Sequence, residues 1–141
     1  LITVADEGEI RLTPTGRDIA QNLLRRHHLI ERMLTEVFGM EWFRVHEEAE
    51  QLEHAVSAEF EKRLLEKLGD GDECPHGNRL GLDSPAERRK NGWLPLSELA
   101  PGHGAQVQSA YERDRELLEY LDRLGIRPGS ALKMLHHNVD D

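Results

Sequence analysis

Residues 46–54 constrain this chain more than any other segment, because they comprise two histidines and four glutamates in nine consecutive positions. A helix turns by about 100° per residue, so one face of a helical segment would collect four of these side chains within about 100°. They are His46, Glu50, Glu53 and His54. Imidazole nitrogens and carboxylate oxygens bind divalent transition metals, so the pattern predicts a metal-binding helix that needs a second element to complete its site.

The alternative for this segment is a solvated acidic face, which is what a run of charges usually forms. The apolar residues of the same helix centre about 90° from His46, so the His/Glu face borders the buried stripe instead of opposing it. We therefore favour metal binding for this face and assign Glu47 and Glu48 to solvent. The apolar residues are Val45, Ala49, Leu52 and Val56.

An earlier pair, His27 and Glu31, has the same i, i+4 spacing and offers two further ligands. Such pairs are common on helix surfaces, but a metal ion needs about four to six ligands from convergent elements. We therefore expect the two helices to close a site between them. His28 lies one position off that face and is expected at the surface.

The identity of the metal follows in part from the ligand types. All six candidates offer oxygen or nitrogen and none offers a thiolate, which favours Mn²⁺ or Fe²⁺ over a structural zinc site. Affinity rises along the first-row series, so Zn²⁺, Co²⁺ or Ni²⁺ are expected to bind in vitro. Six ligands exceed the needs of one ion, so one or two ions per subunit are expected.

A second candidate motif, Cys-Pro-His-Gly-Asn at 74–78, is interpreted as a turn. It has no second cysteine at a useful spacing, and its proline and glycine are typical of turns.

Composition limits the classes of function. With a net charge of −9, the chain as a whole would be repelled by the phosphate backbone of DNA. Five arginines lie in the first 32 residues, so contact with DNA is expected there. No apolar run is long enough to span a membrane, and the single cysteine excludes an intrachain disulfide, so a cytoplasmic protein is expected. No nucleophile motif stands out, so we predict that the protein is not an enzyme.

Turn and helix signals divide the chain into three folded parts, with a linker between the second and the third. Residues 1–16 are expected to form a hairpin that leads into a helix, with Thr13 as N-cap and Pro14 in the first turn. Residues 17–70 are expected to be helical, with helices to about residue 38, from about residue 44 and over 57–68. Residues 71–92 are typical of a linker. Residues 93–141 are expected to hold strands over 105–110 and 131–135 around a helix over 115–124.

Five motifs together resemble the diphtheria toxin repressor family of iron- and manganese-dependent transcriptional regulators. They are LTPTGR at 12–17, RHHLIER at 26–32, VHEEAEQLEH at 45–54, CPHGN at 74–78 and GIRPG at 125–129. The resemblance implies a mainly α chain with a remnant of a winged helix-turn-helix wing, a helical metal-binding and dimerisation domain, and a partial SH3-like (FeoA-like) β domain. It also implies that the DNA-recognition helix and N-terminal metal ligands precede the first residue, and that the SH3-like domain continues past the last.

The resemblance also implies a role for individual residues. His27, Glu31 and His46 match metal-ligating positions of iron-responsive members. Glu53 and His54 match the most constant ligand pair of the family.

Other positions differ between branches of the family. Glu50 stands where iron-responsive members carry Cys and manganese-responsive members carry Glu, which favours Mn²⁺. Asp114 is nearest by register to a ligand that some members take from the third domain, and Glu116 is close to it. The residues expected to contact the DNA backbone are Arg11, Thr13, Thr15 and Arg17.

A metal-dependent repressor of metal-homeostasis genes, acting as a homodimer on operator DNA, is the predicted function. The alternatives are a metal-binding dimerisation module that does not bind DNA, and a carboxylate-bridged dimetal enzyme. The dimer interface is expected on the apolar faces of the second and third helices, unless those residues form only the core within the chain. The residues concerned are Leu52, Val56, Phe60 and Leu64.

Overall fold

The computed structural model describes residues 1–5, 8–69, 71, 73–80 and 84–137. The first half contains strands β1 (Ile2–Val4) and β2 (Ile10–Leu12) and helices α1 (Pro14–Glu36), α2 (Val45–Leu52) and α3 (Ala58–Leu68). The second half contains α4 (Pro85–Lys90), a 3₁₀ turn (Leu96–Glu98), β3 (Gly104–Gln106), α5 (Arg115–Arg123) and β4 (Ala131–Lys133). The mainly α class with small antiparallel strand pairs is confirmed.

The hairpin is tied to the start of α1. Strands β1 and β2 are antiparallel, and Thr13 then caps α1 by accepting a hydrogen bond from the Gly16 amide at 3.0 Å. The Thr13 hydroxyl also donates to the Leu1 carbonyl at 3.1 Å. A Cβ on Gly16 would lie 2.0 Å from that carbonyl oxygen, so only glycine allows the hairpin to approach the helix this closely.

Helices α1, α2 and α3 share one apolar core, as their periodicity predicts. Helix α2 ends at Leu52, although the pattern predicts helix through His54. The Leu52 carbonyl accepts hydrogen bonds from the amides of Ala55 and Val56, and Ser57 then caps α3, so the chain has only these few residues in which to turn. The buried core residues are Leu29, Ile30, Met33, Leu34, Val45, Ala49 and Leu64.

The third part of the chain, from residue 93 onward, is a small β unit with one α-helix. Strands β3 and β4 pair antiparallel with Ala105 opposite Leu132, and both are shorter than predicted. Helix α5 lies between them in sequence, and its residue Asp122 accepts a hydrogen bond from the Trp42 indole. The predicted linker over 71–92 differs from expectation, because its described residues include a tight turn and α4, which begins with a capping box of Ser84 and Glu87.

No helix among the described residues is long and apolar enough to cross a lipid bilayer.

Candidate metal centre

Glu31 is the point at which four segments of the chain meet. Its side chain on α1 is fully buried, and its Oε1 atom lies close to three imidazole nitrogens. The distances are 3.1 Å to His27 Nε2, 3.3 Å to His46 Nδ1 and 3.4 Å to His76 Nδ1. A carboxylate is rarely buried without partners, and here histidines supply them.

The first group of candidate ligands is His27, Glu31 and His46. Their ligand atoms all lie within 4.8 Å of one another, and all three side chains are buried. Glu31 Oε2 and His46 Nε2 have no hydrogen-bond partner among the described residues, although buried polar atoms normally have one. Nitrogen and oxygen donors with spare capacity fit a divalent cation such as Mn²⁺ or Fe²⁺.

Glu53 supports this group from behind. Its Oε2 atom accepts a hydrogen bond from His27 Nδ1 at 2.7 Å, so the other ring nitrogen, Nε2, faces Glu31. A carboxylate behind a histidine in this way orients the ring and raises its basicity as a metal ligand. Arg26 in turn donates to the Glu53 carbonyl at 3.3 Å.

The second group consists of Glu31, Cys74, His76 and Glu112, whose ligand atoms also lie within 4.8 Å of one another. The Cys74 thiol donates to Glu112 Oε2 at 3.5 Å and lies 3.7 Å from His76 Nδ1. His76 is fully buried and donates from Nε2 to the Trp42 carbonyl at 2.7 Å. The Cys74 thiol therefore lies among the candidate donors of this group, which the sequence pattern did not include.

Residues 74–78 form the predicted turn, and two of its side chains belong to the second group of candidate ligands. The segment is a turn, in which Gly77 adopts φ +77° and the Cys74 amide bonds to the Asn78 carbonyl. A Cβ on Gly77 would lie 2.0 Å from the Gln108 carbonyl oxygen, so the turn packs directly against the third part of the chain. The packing points Cys74 and His76 inward. Only the Cys-x-His spacing could have indicated this.

The carboxylate from the third part of the chain is Glu112 and not Asp114. The Asp114 side chain accepts a hydrogen bond from the Leu117 amide at 2.9 Å and caps α5. Glu112 precedes α5, and the side-chain amide of Asn78 donates a hydrogen bond to the Glu112 carboxylate. No local pattern separates Glu112 from Asp114 and Glu116, because only the packing of the two parts decides which one reaches Glu31.

The other predicted ligands lie differently. The side chains of Glu50 and His54 are 58% and 72% exposed, and neither is in a described group of candidate ligands. Glu50 Oε1 lies 3.4 Å from His46 Nε2, and His54 Nε2 lies 3.4 Å from Glu53 Oε1. His54 follows the end of α2, so it leaves the face that a continuous helix would have given it. His28, expected at the surface, is buried, and neither of its ring nitrogens has a hydrogen-bond partner within the residues that the structure describes.

The buried charges shift several pKa values. Burial opposes the charged form of His27, but the hydrogen bonds and charges of Glu31 and Glu53 outweigh it and raise its pKa to about 9. Burial likewise opposes ionisation of Glu31, yet hydrogen bonds from His27, His46 and His76 hold its pKa well below the usual value. Burial and the nearby carboxylates raise the pKa of the Cys74 thiol. Protons on imidazoles therefore balance the carboxylate charge when no cation is bound.

The residues predicted to contact DNA or a second subunit differ in their exposure to solvent. Thr15 and Arg17 are exposed, Arg11 is exposed and pairs with Glu9, and Thr13 is the half-buried cap of α1. Leu52 and Phe60 are exposed, as an interface would require. Leu64, however, is buried in the core within the chain, with Val56 packed against that core. Leu64 is therefore unavailable to a partner, because it packs into the core that α3 shares with α1 and α2.

Nearly the whole chain is similar to known metal-dependent repressors. Residues 13–80 match the family model "Iron dependent repressor, metal binding and dimerisation domain", and residues 94–141 match the FeoA domain. The diphtheria toxin repressor of Corynebacterium glutamicum is 32% identical over 146 residues, covering 96% of this chain and 64% of that protein. The iron-dependent repressor IdeR of Mycobacterium tuberculosis is 30% identical over 143 residues, covering 94% and 62%.

Solved structures are similar as well. A manganese-dependent transcriptional repressor in complex with manganese superposes with a TM-score of 0.78 at 34% identity, covering 96% of this chain and 63% of that one. Another structure, of a manganese-dependent transcriptional repressor, gives a TM-score of 0.73 at 33% identity, covering 90% and 70%. This chain thus spans somewhat less than two thirds of the length of the curated relatives it matches.

Proposed function

Because this chain belongs to the diphtheria toxin repressor family of metal-dependent regulators, we propose that it senses Mn²⁺ or Fe²⁺ for a cytoplasmic transcriptional repressor. The proposed repressor is a homodimer that binds operator DNA when the metal is present. The metal-binding and dimerisation description of the matched family model supports this, as do the names of the relatives.

One observation carries the proposal: Glu31 is a fully buried carboxylate whose Oε1 atom is surrounded by imidazoles and whose Oε2 atom has no hydrogen-bond partner in the described part of the chain. Burying a carboxylate oxygen without a partner costs free energy. A cation bound at this cluster would pair with the oxygen and offset that cost. His27, Glu31 and His46 would hold it, with Glu53 orienting His27.

The donor set of this first group favours Mn²⁺ or Fe²⁺, because it contains only nitrogen and oxygen. Glu50 lies beside His46 and His54 beside Glu53, and both side chains are exposed, so they are available to a further site together with donors from elsewhere. One or two ions per subunit remain our proposal for the stoichiometry.

The sensing step follows from the positions of the ligands. His27 and Glu31 lie on α1, His46 on α2, and Glu112 just before α5, so one cluster joins three elements of the fold. A bound divalent cation supplies the positive charge that these carboxylates otherwise obtain from protonated imidazoles. Cation binding and the joined arrangement therefore favour each other by linkage. Helix α1 also carries the hairpin, so its position sets the position of the wing.

The interface with DNA is proposed on the hairpin side, through the exposed Arg11 and Arg17. Positive charge there can offset the repulsion that a net charge of −9 would otherwise produce. A two-fold dimer would read a pseudo-palindromic operator. The exposed Leu52 and Phe60 are the proposed apolar contacts between subunits.

Two measurements test the function. Isothermal titration of the chain with Mn²⁺ is expected to show binding that Glu31→Gln abolishes and that the exposed control Glu48→Gln leaves unchanged. A gel shift of the intact gene product with its own promoter DNA is expected only when Mn²⁺ or Fe²⁺ is present. Metal binding without any metal-dependent shift would instead favour the dimerisation module that never contacts DNA.

A further inference from the structure

Trp42 connects the second ligand group to the third part of the chain through two hydrogen bonds made by one residue. Its main-chain carbonyl accepts from His76 Nε2 at 2.7 Å, and its indole Nε1 donates to Asp122 Oδ1 at 2.7 Å. Trp42 is only 4% exposed; its bond to His76 is buried, and its bond to Asp122 is partly buried. The residue lies in the loop between α1 and α2, three positions before the first residue of α2.

The third part of the chain holds the indole from two directions. Asp122, near the end of α5, accepts hydrogen bonds from both the Trp42 indole and the Arg127 side chain. The Arg127 guanidinium also lies 5.6 Å from the centre of the Trp42 ring, a cation–π distance. The indole therefore cannot keep all of these contacts if α5 moves away from the helical part.

The bond to the Trp42 carbonyl decides which nitrogen of His76 is available as a ligand. It requires a proton on Nε2, which leaves Nδ1 facing Glu31 Oε1 at 3.4 Å and Cys74 Sγ at 3.7 Å. A histidine ligand usually donates its other ring N–H to such an acceptor, which fixes both tautomer and ring orientation.

We propose that Trp42 is a positioning residue for His76, and that it makes cation binding by the cysteine-containing group depend on the docking of α5. The inference rests on the proposed function only in treating Glu31, Cys74, His76 and Glu112 as ligands. When Asp122 releases the indole, the Trp42 backbone shifts and the carbonyl no longer holds the His76 ring in its ligating orientation. Helix α5 thereby tunes the affinity of this group through Trp42, whereas the direct contacts of the third part with His76 come from Ala110 and Glu112, which precede α5.

The test is a Co²⁺ titration of the full chain, read by the thiolate-to-cobalt charge-transfer absorption that only the Cys74 group can produce. Loss of a histidine's supporting partner typically weakens metal binding by about 10- to 100-fold, so Trp42→Phe and Asp122→Ala should each weaken Co²⁺ binding by about 10-fold or more. Asp122→Asn keeps an acceptor oxygen for the indole N–H and should restore most of the affinity.

The matched control is Arg115→Ala. Arg115 contacts Glu47 at 3.3 Å and so also joins α5 to α2, but it does not touch Trp42 or His76. Its removal should leave Co²⁺ affinity unchanged. The proposal is overturned if Arg115→Ala and Asp122→Ala weaken binding equally, if neither Trp42→Phe nor Asp122→Ala weakens it, or if the unsubstituted chain shows no thiolate–cobalt absorption. Mn²⁺-dependent operator binding, measured separately, reports on the proposed function alone.

Discussion

The Nδ1 atom of His27 donates to Glu53 Oε2 at 2.7 Å, which makes Glu53 a support for a candidate ligand within the described structure. The same glutamate approaches His54 Nε2 at 3.4 Å through its other oxygen. A residue that the linear pattern groups with the ligands of α2 therefore acts on a ligand of α1.

Glu53→Gln should weaken Mn²⁺ binding by about 10-fold, because a neutral amide supports the His27 ring less strongly than a carboxylate does. Isothermal titration measures the change. Glu48→Gln on the exposed side of α2 removes the same charge without contacting the cluster, and it should have no effect. Equal losses in the two variants would show that net charge alone, and not the bond to His27, controls affinity.

Cys74→Ser should change metal selectivity more than overall affinity. Thiolates favour Zn²⁺ and Co²⁺ over Mn²⁺, so the substitution should lower Zn²⁺ affinity by at least about 10-fold and alter Mn²⁺ affinity far less. Competition titrations with both metals measure the ratio. A proportional loss for the two ions would mean that the thiol does not act as a ligand.

Gly77→Ala should destabilise the chain more than Gly92→Ala does. Both glycines have φ +77°, which disfavours a residue with a Cβ by about 1–2 kcal/mol. Only at Gly77 would the new methyl meet a backbone atom, the Gln108 carbonyl oxygen at 2.0 Å, whereas nothing lies within 4 Å at Gly92. Denaturant unfolding of the two variants measures the difference, and equal losses would contradict the close packing of the 74–78 turn.

The bond between Asp122 and Trp42 should contribute stability that depends on pH. Hydrogen bonds from the Trp42 indole and Arg127 lower the pKa of Asp122 below its usual value of 3.8. A lowered folded-state pKa means that the contribution is complete above the unfolded value, near 3.9, and is lost as pH falls through the folded value. The stability difference between the unsubstituted chain and Asp122→Asn should thus be constant near neutral pH and shrink under acid. Unfolding curves at several pH values measure it, and a constant difference down to the lowest pH would contradict the shift.

Local spacing was sufficient for much of the fold. The apolar period predicted α1, Ser57 and Thr13 predicted the caps, and the i, i+4 pair of His27 and Glu31 predicted that both side chains share a helix face. These features depend on residues at most a few positions apart, where helix geometry alone sets the distance. The end of α2 was mispredicted because the turn into α3 overrides the helical pattern at His54.

The composition of the candidate metal centre depended instead on contacts between distant segments. Glu31 meets His76 and the Glu112 carboxylate lies beside Cys74 because a glycine turn packs against the third part of the chain, and no periodicity relates residues 31, 74, 76 and 112. The amino-acid pattern thus established a helical chain with His/Glu faces suited to a divalent cation. Tertiary packing decided that Glu112 and not Asp114 lies in the cluster, that the cluster includes the Cys74 thiol, and that the Glu53 carboxylate contacts His27 Nδ1. Each of these is a contact between residues that are distant in the sequence.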